Sequence, residues 1–152
     1  MKQSSSIKLL NHTDLYIAER IYQLFQKSYS IEAKLIGVDS FPPLERTLDN
    51  IQDSKTQFWG YYKNDNLAAI AEIELTNKLL DINSFVVSTT FFRQGIGSDL
   101  LGYLLTNLSF EFAVVETATA NKPAISLYKK FGFIETRKWL TEIGIEKVML
   151  NK

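Results

Sequence analysis

Apolar residues recur along this chain in two rhythms, and the changes of rhythm mark its elements. Ile7 to Leu10 is a short apolar run that fits a first strand. From Thr13 the spacing becomes helical, with Ala18, Ile21, Tyr22, Phe25 and Tyr29 on one face, which predicts a helix to about Ser30. The period breaks from Ile31 to Pro43, a segment expected to link helices. Pro42 and Pro43 then fix the start of a shorter helix carrying Leu44, Leu48 and Ile51. Phe58 to Lys63, Leu67 to Leu75 and Lys78 to Val87 read as antiparallel strands, joined by turns at Asn64-Asp65-Asn66 and Thr76-Asn77.

The second half alternates helix and strand. Leu100, Leu101, Leu104, Leu105 and Leu108 repeat at helical spacing and predict a buried helix, followed by a strand from Phe112 to Thr117. Pro123 opens another helix that Gly132 ends, with Lys129 and Lys130 in the last turn, where cations offset the dipole. Strands at about Phe133 to Thr141 and Ile145 to Leu150 close the chain. The expected fold is α/β: a mixed, mostly antiparallel sheet with helices on both faces.

Composition narrows the chemistry. A length of 152 residues suits a single domain spanning 1–152, and no repeat or linker divides it. Lys+Arg and Asp+Glu both number 17, so bulk charge draws the protein to neither nucleic acid nor an anionic membrane. The chain has no cysteine and a single histidine, His12, which removes thiol nucleophiles, disulfides, most metal sites and a Ser-His-Asp arrangement. His12 itself reads as a solvated or capping residue before the first helix. Met1 to Ser6 lacks the apolar stretch of a secretory signal and no later run suits a membrane span, so a cytoplasmic location is expected.

Two motifs carry the functional expectation. The first, Phe92-Arg93-Gln94-Gly95-Ile96-Gly97-Ser98, runs straight into the leucine-rich helix. A glycine-paired turn opening a helix presents free N–H groups and the positive dipole end, which together bind phosphate. It is neither a P-loop, since no Gly-Lys-Ser/Thr follows, nor a Rossmann fingerprint, since Leu100 stands where the third glycine belongs. The second motif is Asn121-Lys122-Pro123-Ala124-Ile125-Ser126-Leu127-Tyr128-Lys129-Lys130-Phe131-Gly132-Phe133. Together they resemble the GNAT superfamily of acyl-CoA-dependent N-acetyltransferases, over about the stretch Asp81 to Phe133.

That resemblance implies the GNAT fold, with a splayed sheet, and acetyl-CoA as cosubstrate with no metal. Main-chain amides of Arg93, Gln94, Gly95, Ile96, Gly97 and Ser98 would hold the pyrophosphate. Phe92 departs from the family's usual Gln or Arg at the loop's first position. A bulge in the strand ending Phe85-Val86-Val87 would free main-chain groups of Phe85 and Val87 for the pantetheine arm and the thioester carbonyl. Asn121 matches a coenzyme-contacting asparagine, and Tyr128 the tyrosine that protonates the departing thiolate. A phenol with a reference pKa near 10 suits that donation. The residue-level alternatives are a helix-start role for Asn121 and a core role for Tyr128.

An amine acceptor needs a base, because only about one amine molecule per thousand is neutral at pH 7. Asp81 falls where histone acetyltransferases of the superfamily carry a glutamate. A hairpin loop at Thr76-Asn77 would set Leu75 opposite Lys78 and Glu72 opposite Asp81, and two adjacent carboxylates raise the pKa of one of them. The acceptor, a small molecule or peptide amine, would lie among the segment Ile31 to Pro43, the strand around Trp59 and Tyr61, and the final hairpin with Trp139. A homodimer is compatible with the sequence. The rival readings are a non-catalytic acyl-CoA sensor on the same fold and a structural domain with an incidental Gly-x-Gly.

Overall fold

The computed structural model describes residues 4–152; Met1 to Gln3, the start of the polar N-terminal stretch, lie outside the described residues. β1 (Ser5–Leu10) leads into helix α1 (Leu15–Ile36), which Asp14 caps by accepting from the Ile17 N–H at 3.1 Å. His12 does not cap the helix. Its Nε2 donates to the Ser54 carbonyl at 2.8 Å, and its ring tilts against Phe58. α1 also runs beyond the expected end at Ser30, because Ala33 extends the buried face onto a cluster with Phe41, Ala118 and Ile145. Gly37, in left-handed conformation at φ 82°, then stops the helix.

A 3-10 turn at Pro42–Glu45 precedes α2 (Leu48–Asp53), whose Thr47 and Asn50 form a reciprocal cap. β2 (Gln57–Lys63), β3 (Asn66–Thr76) and β4 (Leu79–Val87) form two hairpins. Their loops, Asn64-Asp65 and Asn77-Lys78, hold positive φ at both residues, the conformation that matches strand twist. The second loop therefore sits one residue later than the sequence suggested. Thr76, β-branched and costly in a left-handed conformation, stays in the strand and pairs with Leu79.

α3 (Ile96–Asn107), β5 (Phe112–Ala118), α4 (Lys122–Lys130), β6 (Ile134–Leu140) and β7 (Glu146–Asn151) complete the chain. Among the described residues the seven strands lie in the order β1-β2-β3-β4-β5-β7-β6, antiparallel except where β4 meets β5. Leu100, Leu101 and Leu104 of α3 and Ile125 and Tyr128 of α4 pack on one face, against Ala69, Ala71, Ile73, Leu80 and Ile82. Ala18, Ile21, Leu24 and Phe25 of α1 pack on the other, against Phe58, Ile70 and Val86. The expected mixed, mostly antiparallel sheet with helices on both faces is the one observed. No helix among the described residues is long and apolar enough to cross a membrane.

Candidate active site

The site forms where the sheet comes apart. β4 and β5 pair only as far as Ile82 and Val115, after which each strand continues without the other. Just past that point Asn83 is an extra residue in β4: Ile73 pairs with Ile82 but Glu72 with Ser84, so the ladder skips one position. Beyond the bulge the Ser88 N–H donates to the Ala68 carbonyl at 2.8 Å, which sets the phase of the ladder. By the alternation of antiparallel pairing, Ser84 and Val86 then bond to β3, whereas Phe85 and Val87 turn their N–H and C=O groups toward the gap.

The glycine motif stands at the mouth of this gap. Arg93 (φ 62°) and Gly95 (φ 75°) are both left-handed, and Gly95 is the N-cap of α3 with no side chain to cap it. The first bond of the helix runs from the Asp99 N–H to the Gly95 carbonyl, which leaves the N–H groups of Ile96, Gly97 and Ser98 without an intrahelical acceptor. A Cβ on Gly97 would lie 3.5 Å from both Val87 and Leu127 and 3.7 Å from Phe85, so this turn is seated directly on the end of β4. Two lysines that the sequence did not place at the loop reach it: Lys130 Nζ donates to Ser98 Oγ at 3.0 Å, and Lys63 bonds to Gln94. Arg93 and the exposed Phe92 complete its rim.

From the gap a cavity of about 520 Å³ extends toward the C-terminal end of α1. Phe85, Asn121, Ala124 and Tyr128 line one side; Tyr29, Glu32 and Phe41 to Pro43 line another; Thr141, Glu142 and Ile143 of the β6–β7 turn close it. Tyr128 is 3% exposed, its ring packed on Phe133 and edge-on to Phe85. Its hydroxyl has no hydrogen-bond partner among the described residues and is not sealed in the core, so it opens on the cavity. Burial pushes this phenol well above its usual pKa, and the charges of Tyr29 and Glu32 add to the shift. Asn121 caps α4 by accepting from the Ala124 N–H at 3.3 Å and donates to Glu32 at 3.2 Å.

The acceptor-side aromatics differ from expectation. Trp59 packs against Tyr103 of α3, Tyr61 is buried in the core beneath that helix, and Trp139 carries Arg137 over its ring; none of the three lines the cavity. The carboxylates differ too. With the loop at Asn77-Lys78, Asp81 faces Glu74, and Glu72 faces Ser84. Glu72 is 2% exposed and receives a two-pronged bond from Arg46 (2.6 and 2.9 Å), one from Thr56 (2.7 Å) and one from Ser84 (3.0 Å). Burial alone would raise its pKa, but the bonds from Arg46, Thr56 and Ser84 outweigh that and hold it below the usual carboxylate range. Glu72 is thus an anchor for the Arg46 segment, without the raised pKa that a base here would need. Asp81 does have a raised pKa, from partial burial and from the charges of Glu74 and Glu116, yet it lies outside the cavity lining.

A model of the acetyltransferase (GNAT) family matches residues 18–133, which includes most of α1, the whole of the gap, and both motifs. The chain belongs to the GNAT acetyltransferase family. Among solved structures, the ribosomal-protein-S18-alanine N-acetyltransferase of Escherichia coli superposes with a TM-score of 0.75 at 21% identity, over 97% of this chain and 92% of that one. PaiA N-acetyltransferase of Thermoplasma acidophilum, in complex with coenzyme A, gives 0.74 at 16% identity over 98% of both chains. These two likenesses are of fold. The UPF0157 protein YqkA of Bacillus subtilis strain 168 is 37% identical over 128 residues, which are 84% of this GNAT chain and 37% of YqkA. The chain thus spans little more than a third of that curated relative. Among the described residues no group of three or more His, Cys, Asp or Glu side chains could hold a metal ion.

Proposed function

We propose that this protein transfers an acetyl group from acetyl-CoA directly to an amine, without a covalent enzyme intermediate. The observation that carries the reading is the gap between β4 and β5, onto which three otherwise unrelated features converge. These are the outward main-chain groups of Phe85 and Val87, the open first turn of α3, and the unpartnered Tyr128 hydroxyl. A coenzyme with a pyrophosphate and an extended amide-bearing arm fits the helix turn first, the strand edge next and the hydroxyl last. The first-turn N–H groups, with Lys130 and Arg93 close by, suit the phosphates. The free strand edge of β4 can pair with the arm as a further strand would.

Within this arrangement Phe85 and Val87 main-chain groups orient the thioester, and a main-chain N–H polarises its carbonyl. The cavity admits the amine from the α1 side. Tyr128 supplies the proton that the departing thiolate takes up. Asn121 acts through its cap of α4, which fixes the helix that carries Tyr128.

Ser98→Glu tests the pyrophosphate site. A carboxylate in the first turn of a helix is favourable to the fold, so melting temperature should be unchanged or slightly higher. Like-charge contact with phosphate should weaken coenzyme A binding by about tenfold or more, as measured by calorimetry. Unchanged affinity in a folded variant would remove this turn from the coenzyme site. Acceptor turnover itself is tested by incubating the wild-type protein with acetyl-CoA and a panel of amines and measuring free thiol.

A further inference from the structure

Glu32 was hidden in the segment read as a linker, but it lies in the last turns of α1 and reaches the same cavity as Tyr128. It is half-buried, and its Oε1 accepts from Asn121 at 3.2 Å. No cation among the described residues lies within ion-pair distance of it. Lys147, which also lines the cavity, pairs with Glu116 at 3.6 Å. A carboxylate partly withdrawn from water with no cation at ion-pair distance is costly, and the cost is relieved by a proton or by a cation from outside.

We propose that Glu32 receives the acceptor's ammonium group and takes its proton, so that the cavity selects amines presented as cations from the α1 side. This rests on the acetyl-transfer reading of the cavity and names the base for it. The titratable and amide groups that line the cavity with Glu32 include Tyr29 on its own helix, Asn121 and Tyr128 of the α4 segment, Glu116 from β5, Glu142 from the β6–β7 turn and Lys147 from β7. Burial raises its pKa above the usual carboxylate range, opposed by the Asn121 bond and the Lys147 charge. A carboxylate shifted in that direction is a stronger proton acceptor, as a base for an ammonium requires. The competing carboxylates are placed otherwise: Glu72 is held by Arg46, and Asp81 lies outside the cavity.

Glu32 removes one N–H proton from the ammonium, and the freed lone pair forms the C–N bond to the thioester carbonyl carbon as the carbonyl electron pair moves to oxygen. When that pair returns, the C–S bond breaks and the sulfur takes the Tyr128 proton. The nitrogen then gives up its second proton, which returns through water to Tyr128, and Glu32 loses its own to solvent. Ammonium and thioester thus become amide, thiol and one released proton.

The test compares Glu32→Gln with Asp81→Asn, using aliphatic diamines, an amino-acid amide and a peptide with a free N-terminus as acceptors. Glu32→Gln should lower kcat/KM for the amine by about 10²-fold and abolish the acidic limb of the pH–rate profile, with coenzyme A affinity unchanged. Glu32→Asp, which keeps the charge, should retain part of the rate, and Asp81→Asn should stay within a few-fold of wild type. Stability supplies an independent readout. A carboxyl with a raised folded pKa contributes stability at low pH that is lost as pH rises through that pKa, so the Gln variant should gain on wild type as pH rises. Wild-type rate with an intact acidic limb in Glu32→Gln, or loss of the limb in Asp81→Asn, would overturn the assignment to Glu32 alone. No transfer by the wild-type protein to any acceptor would overturn this assignment and the acetyl-transfer reading together.

Discussion

Tyr128→Phe should lower kcat by about 10²-fold or more, with coenzyme A affinity and melting temperature nearly unchanged. The ring contacts with Phe85 and Phe133 survive the substitution, and the hydroxyl leaves no partner unsatisfied among the described residues. The raised pKa of the phenol keeps it protonated across the working range, so it always has a proton to give. The same dry surroundings raise the proton affinity of the departing thiolate, which keeps the transfer matched. An acyl donor whose leaving thiol has a lower pKa needs less protonation and should partly rescue the variant. Turnover within a few-fold of wild type would make Tyr128 a core aromatic and nothing more.

Glu72→Ala should be the most destabilising substitution in this region, at about 3–5 kcal/mol, because it leaves the Arg46 guanidinium half-buried without a partner and strips the Thr56 and Ser84 hydroxyls of their acceptor. For a chain of this size that corresponds to a fall in melting temperature of about 10–15 °C. Replacing both partners, as in Arg46→Met with Glu72→Leu, should recover most of the loss, since the pair as a whole adds little beyond what apolar packing would supply. The Glu72 pKa is lowered, so its contribution is present above the unfolded carboxyl value and is lost as pH falls through the lower folded value. Thermal melts below about pH 4 should therefore bring wild type and variant closer together. A double variant as unstable as Glu72→Ala would contradict this account of the pair.

The parts of the fold with strong local signals were legible in the sequence. The leucine period of α3, the Pro123 start and Gly132 end of α4, and the Gly-x-Gly turn each depend on residues within one or two helical turns. The end of α1 was not legible. Its last turns bury Ala33 against Phe41, Ala118 and Ile145, partners outside the helix, so the period is broken only when read locally. Glu32 was missed for that reason. The β3–β4 register turned on which residues accept positive φ, and moving the loop by one residue exchanged Glu72 for Glu74 opposite Asp81. Trp59, Tyr61 and Trp139 show the limit of residue type as a guide: aromatics expected at a ligand groove instead pack on α3 or lie beneath an arginine.

The direct test of the central claim is acetyl transfer itself, followed by mass spectrometry of the acceptor and by thiol release in the same reaction. The gap, the open helix turn and Tyr128 together predict an amine that gains one acetyl group for each thiol released, and a rate that falls sharply in Tyr128→Phe. Tight binding of acetyl-CoA with no acetylated product across the amine panel would contradict it and leave a protein that holds the coenzyme without turning it over.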